Sequence, residues 1–147
     1  MKRLVAISFS FGFFITRAVF SECIQTETAN LHAGPSLDQE ITWVVPKHMP
    51  LKRLFEKDGW AQVVDVDNDV HWVRNTALTQ DHRCAVVKVD RAKLRTGPGE
   101  HFPQVHFLPS IEHYATFIYV KRQESWAQLK DDADNRYWIH RSLIWVY

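Results

Sequence analysis

Four short clusters carry side chains that could do chemistry. Asp65, Asp67 and Asp69 have the alternate spacing that opens a calcium loop. That loop needs glycine next and a bidentate glutamate further on, where this chain has Val70 and Thr76. A solvated turn is the simpler reading, and Asp131, Asp132 and Asp134 crowd a matching hairpin later in the chain. His101, His106 and His113 lack zinc-ligand spacing and have no cysteine cluster beside them. His82-Arg83-Cys84 sets an imidazole and a thiol two residues apart in the sequence. Nucleophilic catalysis needs a base and an orienting group in reach, and there is no Gly-x-Ser-x-Gly motif here. The expectation is a chain that is not an enzyme, with no metal and no cofactor. Arg91, Lys93 and Arg95 alternate along one edge of a strand. They suit a carboxylate-bearing peptide, although a solvated face is the simpler reading.

The elements that position these residues are legible because the chain repeats. Ala29 to Ser36 and Ala92 to Gly99 both read Ala-x-Leu-x-x-Gly-Pro followed by a small residue. A short strand buries its leucine, then glycine and proline force a turn. Leu31 and Leu94 are 63 residues apart, as are Pro46 and Pro109. Trp60-Ala61-Gln62 and Trp126-Ala127-Gln128 are 66 apart, as are Trp72 and Trp138. A three-residue insertion is therefore expected between Pro109 and Trp126. An insertion confined to one segment is what a surface loop tolerates.

Closely spaced strands fill each copy. Ile41 to Val45, Leu51 to Phe55, Trp60 to Val66 and Val70 to Arg74 alternate with turn signals, and Asn68 suits the tight hairpin between the last two. Ala115 to Val120 is the long strand of the second copy. About sixty residues of this pattern fit a small five-stranded barrel. Period 2 puts Ala61 and Val63 inside, with Trp60 and Gln62 on the polar face; Trp126 shares that face with Gln128 and Lys130. A tryptophan that recurs on a polar face suggests a binding surface. Trp60 and Trp126 are the candidate groove residues, and Tyr119 is a weaker member that parity with Phe117 also allows in the core.

The chain begins as an export signal does. Lys2 and Arg3 precede an apolar run from Leu4 to Thr16, and Ser21 offers a small residue for cleavage, so residues 1–21 are read as a signal peptide. A membrane helix needs about 20 apolar residues, and Arg17 interrupts this run. Without its leader the chain has 15 basic and 17 acidic residues. That argues against nucleic acid, which takes many phosphate contacts. Cys23 and Cys84 are the two cysteines. An even count in an oxidising compartment favours a disulfide, with two free buried thiols as the alternative.

One family fits these landmarks. Leu-x-x-Gly-Pro, then Asp58-Gly59-Trp60 or Glu124-Ser125-Trp126, then Trp72-Val73 or Trp138-Ile139, resembles bacterial SH3 (SH3b) domains, and His140-Arg141-Ser142-Leu143 is similar to their closing segment. The chain departs from the pattern at His32-Ala33 and at the turn Asp67-Asn68-Asp69. The resemblance implies an all-β chain of two tandem SH3-like barrels, residues 22–81 and 82–147. It implies a periplasmic or secreted binding module for peptidoglycan peptides or cell-wall material. A protein–protein interaction scaffold in the envelope is the alternative.

Overall fold

The computed structural model describes residues 21–108 and 110–147. The expected leader lies outside the described residues except for Ser21, which already belongs to the first strand. Among the described residues no helix is long and apolar enough to cross a membrane.

The chain is all-β. Its first half runs β1 (Ser21–Ile24), β2 (Thr28–His32), β3 (Ile41–Pro46), β4 (Pro50–Lys57), β5 (Trp60–Val64) and β6 (Val70–Arg74), then a 3-10 turn (Asn75–Ala77) and β7 (Leu78–Thr79). These form one sheet in the order β3-β2-β6-β5-β4-β1-β7. Its second half runs β8 (Arg83–Val87), β9 (Arg91–Ala92), β10 (Ile111–Glu112), β11 (Thr116–Gln123), β12 (Trp126–Lys130) and β13 (Arg136–His140), then a 3-10 turn (Arg141–Leu143) and β14 (Ile144–Val146). Here a five-stranded sheet, β13-β12-β11-β8-β14, stands beside the pair β10-β9.

The pairing register repeats. Lys57 opposite Trp60 becomes Gln123 opposite Trp126, and a bulge after Arg53 recurs after Tyr119. Left-handed backbone recurs too, at His48 and Tyr114, Asp58 and Glu124, and Asn68 and Asp134, each pair 66 residues apart. Such angles are rare outside glycine, so three matched pairs mark three matched turns.

The register also corrects two expectations. Ile41 opposite His32 corresponds to Gln104 opposite Arg95, at an offset of 63. Val45 opposite Ala29 corresponds to Ile111 opposite Ala92, at an offset of 66. The insertion therefore lies between Gln104 and Ile111, and the spacing of Pro46 and Pro109 does not mark equivalent positions. The extra residues leave only a two-residue strand where β3 has six. The glycines of the repeated turns are also needed for a different reason. Among the described residues Gly59 is the glycine at positive φ; Gly34 and Gly97 are not. A Cβ on Gly97 would collide with the Phe102 ring, so that position excludes a side chain by contact.

Two apolar cores sit between these strands. Leu31, Leu51, Val63 and Val73 anchor the first, and Leu94, Leu129, Ile139 and Ile144 the second. Each fully buried leucine is worth about 2 kcal/mol of transfer free energy. Val86 of β8 packs into the first core, so the second half contributes to the first. The halves are also joined covalently, because Cys23 and Cys84 form a disulfide between β1 and β8. Thr116 Oγ1 donates to the Lys47 carbonyl at 2.6 Å, and Tyr114 Oη to Asp67 Oδ2 at 2.7 Å. His48 Nε2 meets Asp132 Oδ1 at 2.9 Å.

Candidate functional site: paired tryptophan grooves

Trp60 stands at the start of β5, opposite Lys57 and Arg74. Its ring packs edge-on against His32, with centroids 5.2 Å apart, and the Arg74 guanidinium lies over it at 5.2 Å. Trp126 repeats this at the start of β12, with the His140 ring edge-on at 5.5 Å. Each tryptophan lines an open groove, of about 240 Å³ around Trp60 and about 280 Å³ around Trp126. Every residue lining the second groove has its repeat partner lining the first. Thr28 becomes Arg91, Asn30 becomes Lys93, His32 becomes Arg95, Leu37 becomes Glu100 and Arg74 becomes His140.

The burial differs between the two. Period 2 puts Trp60 on the polar face, but the structure leaves it only 6% exposed beneath His32 and Arg74. Trp126 is half-buried and keeps more of its ring accessible. The linings differ in charge as well. The first is mostly uncharged, whereas the second collects Arg91, Lys93 and Arg95 against Glu100. Arg95 Nη1 donates to the Phe102 carbonyl at 2.9 Å, which fixes the side chain along the groove.

Tyr119 does not join either tryptophan. It lies on β11 in a separate cleft of about 440 Å³, with Arg83 over its ring at 4.9 Å. It also packs against the second core, as its parity with Phe117 allows. His101, His106 and His113 do not converge either. His101 packs on Phe102, and His113 stacks on Tyr114.

The aspartate turns are hydrogen-bonded clamps. Asp65 Oδ1 accepts from the backbone of Asp67 and Asp69, and its other oxygen meets His71 Nε2 at 3.0 Å. Thr42 Oγ1 lies 2.6 Å from His71 Nδ1, so the order hydroxyl–imidazole–carboxylate of a hydrolase triad is present. The twin turn builds the same clamp from other partners. Asp131 accepts from Ala133 and Asn135, and Tyr137 takes the histidine's place by donating its hydroxyl at 2.8 Å. Both carboxylates close a hairpin. The bond from the Asn135 side chain leads the effects that hold the Asp131 carboxyl below its usual range. Burial, then the bond to Asp131, pushes the Tyr137 phenol up to about 12.

Among the described residues, Cys23, His82 and Cys84 bring metal-type ligand atoms within 4.8 Å of one another. The two sulfurs are tied to each other in the disulfide. Burial, then the neighbouring His48, lowers the His82 pKa.

Residues 25–80 match the family model of the bacterial SH3 domain. The match falls on the first half, around the groove of Trp60, and points to a binding module. No curated protein matches the chain. Among solved structures, the chain is similar to NlpC1 from Trichomonas vaginalis, with a TM-score of 0.39 and 10% identity over 96% of this chain and 50% of that one. It is also similar to NlpC2 from the same organism, with a TM-score of 0.38 and 9% identity over 87% of this chain and 48% of that one. The chain thus spans about half the length of these structures.

Proposed function

We propose that this protein is an exported, non-catalytic binding module for peptidoglycan peptides or related cell-wall material. Residues 82–147 act in it as a second SH3-like copy. One observation carries the reading: two grooves, lined at equivalent positions, are each built on a tryptophan at the start of the same strand. A tryptophan flanked by polar side chains offers a large apolar face at low entropic cost, which suits peptide recognition. The bacterial SH3 match and the intramolecular disulfide both support an extracytoplasmic setting. Co-sedimentation of the purified protein with peptidoglycan at low and moderate salt tests this. Retention that survives moderate salt is expected. Failure to sediment at either salt contradicts the wall ligand.

A further inference from the structure

The cleft beside Tyr119 has a counterpart in the first half, and that counterpart is filled. Arg53 Nε donates to Glu22 Oε2 and Nη1 to Glu56 Oε2, both at 2.9 Å. Asn75 Nδ2 donates to the other oxygen of Glu56 at 2.9 Å, and Gln80 Nε2 to the other oxygen of Glu22 at 2.8 Å. The guanidinium is thus satisfied by the protein's own carboxylates, and Glu22 is only 2% exposed. Charge-assisted bonds of this kind are the strong ones.

The second half keeps the backbone and inverts the charges. Register places Tyr119 at the position of Arg53 and Arg122 at that of Glu56. Arg141 opens the 3-10 turn where Asn75 does. Ala85 stands where Glu22 does, opposite Phe117 as Glu22 is opposite Leu51. Arg83 joins from the same strand, and Trp145 from β14. The result is an open cleft of about 440 Å³ whose lining holds three arginines and no carboxylate. Among the described residues none of the three forms an ion pair; Arg122 Nε donates to the backbone of Glu124, and Arg83 rests on Tyr119.

We propose that this cleft is a docking site for a partner segment carrying two or more carboxylates. The first half shows which chemistry the backbone frame accommodates here, since it places two glutamates around one guanidinium. The second half supplies guanidiniums alone, so the carboxylates come from outside. Tyr119 and Trp145 give the segment apolar walls, and each guanidinium can take a carboxylate bidentately. This site is separate from the tryptophan grooves, so it stands or falls independently of the wall ligand.

The test is a titration of the ¹⁵N-labelled protein with two matched peptides, acetyl-Gly-Glu-Gly-Glu-Gly-amide and its Gln counterpart, and with inorganic phosphate. The Glu peptide is expected to shift the Trp145 indole N–H and the arginine Nε–H signals of the cleft, and added salt to weaken it. The Gln peptide is expected to bind at least about tenfold more weakly. Arg122→Glu restores the residue found at the twin position, and it should reduce Glu-peptide affinity at least about tenfold. Arg141→Gln, at an exposed position, provides a second variant with the same expected direction. Equal binding of the two peptides overturns the proposal, as does the absence of shifts in the cleft. Phosphate binding at least as tight as the Glu peptide overturns the carboxylate assignment.

Discussion

The two halves share strand register and turns and differ in their surfaces. Strand pairing, bulge and left-handed turns coincide. So do the buried positions that hold them, such as Leu31 with Leu94 and Val73 with Ile139. The divergence lies in the insertion between Gln104 and Ile111 and in polar side chains such as Glu22 and Glu56, which become Ala85 and Arg122. The first half closes its polar face with Glu22, Arg53 and Glu56, whereas the second leaves three arginines facing an open cleft. Packing constrains the interior to the methylene, while exposed positions vary at little cost to stability. A duplicated chain can therefore keep its fold and change what it binds.

The contrast breaks most strongly where the halves are joined. The disulfide closes a separation of 61 residues. Replacing both cysteines with serine should cost about 4 kcal/mol. Denaturant melts of the variant measure this, and an unchanged midpoint would show that the link adds nothing to packing. Next is the polar face. Arg53→Met leaves Glu22 buried without its cation and should cost roughly 3 kcal/mol. Arg122→Met, in the corresponding open cleft of the second half, should change stability by under about 0.5 kcal/mol. Equal losses would mean that the two faces are not different in kind.

The glycines sharpen the comparison further. Gly97→Ala drives a methyl into the Phe102 ring and should cost about 1–3 kcal/mol. Gly34→Ala meets Cγ of the flexible Gln39 side chain at 3.0 Å, and its cost should stay under about 1 kcal/mol. Thermal melts separate these outcomes. A further contrast is a pH response confined to the alkaline range. The phenol of Tyr137 titrates near 12, above its ordinary value of 10.0. The folded state favours the neutral form, so that stability is complete below pH 10 and is lost as pH rises toward 12. Tyr137→Phe should flatten this alkaline loss in a pH series of melts, whereas His71→Phe should leave it in place.

Much of the fold was legible in the sequence because buried periodicity and turn chemistry are local. Leu31, the hairpin at Asn68 and the alternation Trp126-Ala127-Gln128-Leu129 all sit as period 2 dictates. The paired cysteines were legible from their even count taken together with the expected export. Less visible was anything that depends on which strand lies alongside. Pro46 and Pro109 share the repeat spacing, yet the ladders make Ile111, opposite Ala92, the equivalent of Val45, opposite Ala29. Trp60 was assigned to the right face, but His32 and Arg74 come from other strands to cover it. Tyr119 lies in a cleft with Arg83, Arg122 and Arg141, which are far apart in sequence. Aligning the two halves at offset 66 would have exposed the change from Glu56 to Arg122. The change from Glu22 to Ala85 needed the register of β1 and β8.

The central claim is that the tryptophan grooves hold the wall ligand. The most direct measurement follows the indole N–H signals of the ¹⁵N-labelled protein during titration with soluble peptidoglycan fragments. The account predicts that Trp126 shifts first and furthest, because its ring is the more accessible, and that Trp60 follows. Shifts at Trp145 with both Trp60 and Trp126 unmoved would contradict it and place the ligand elsewhere.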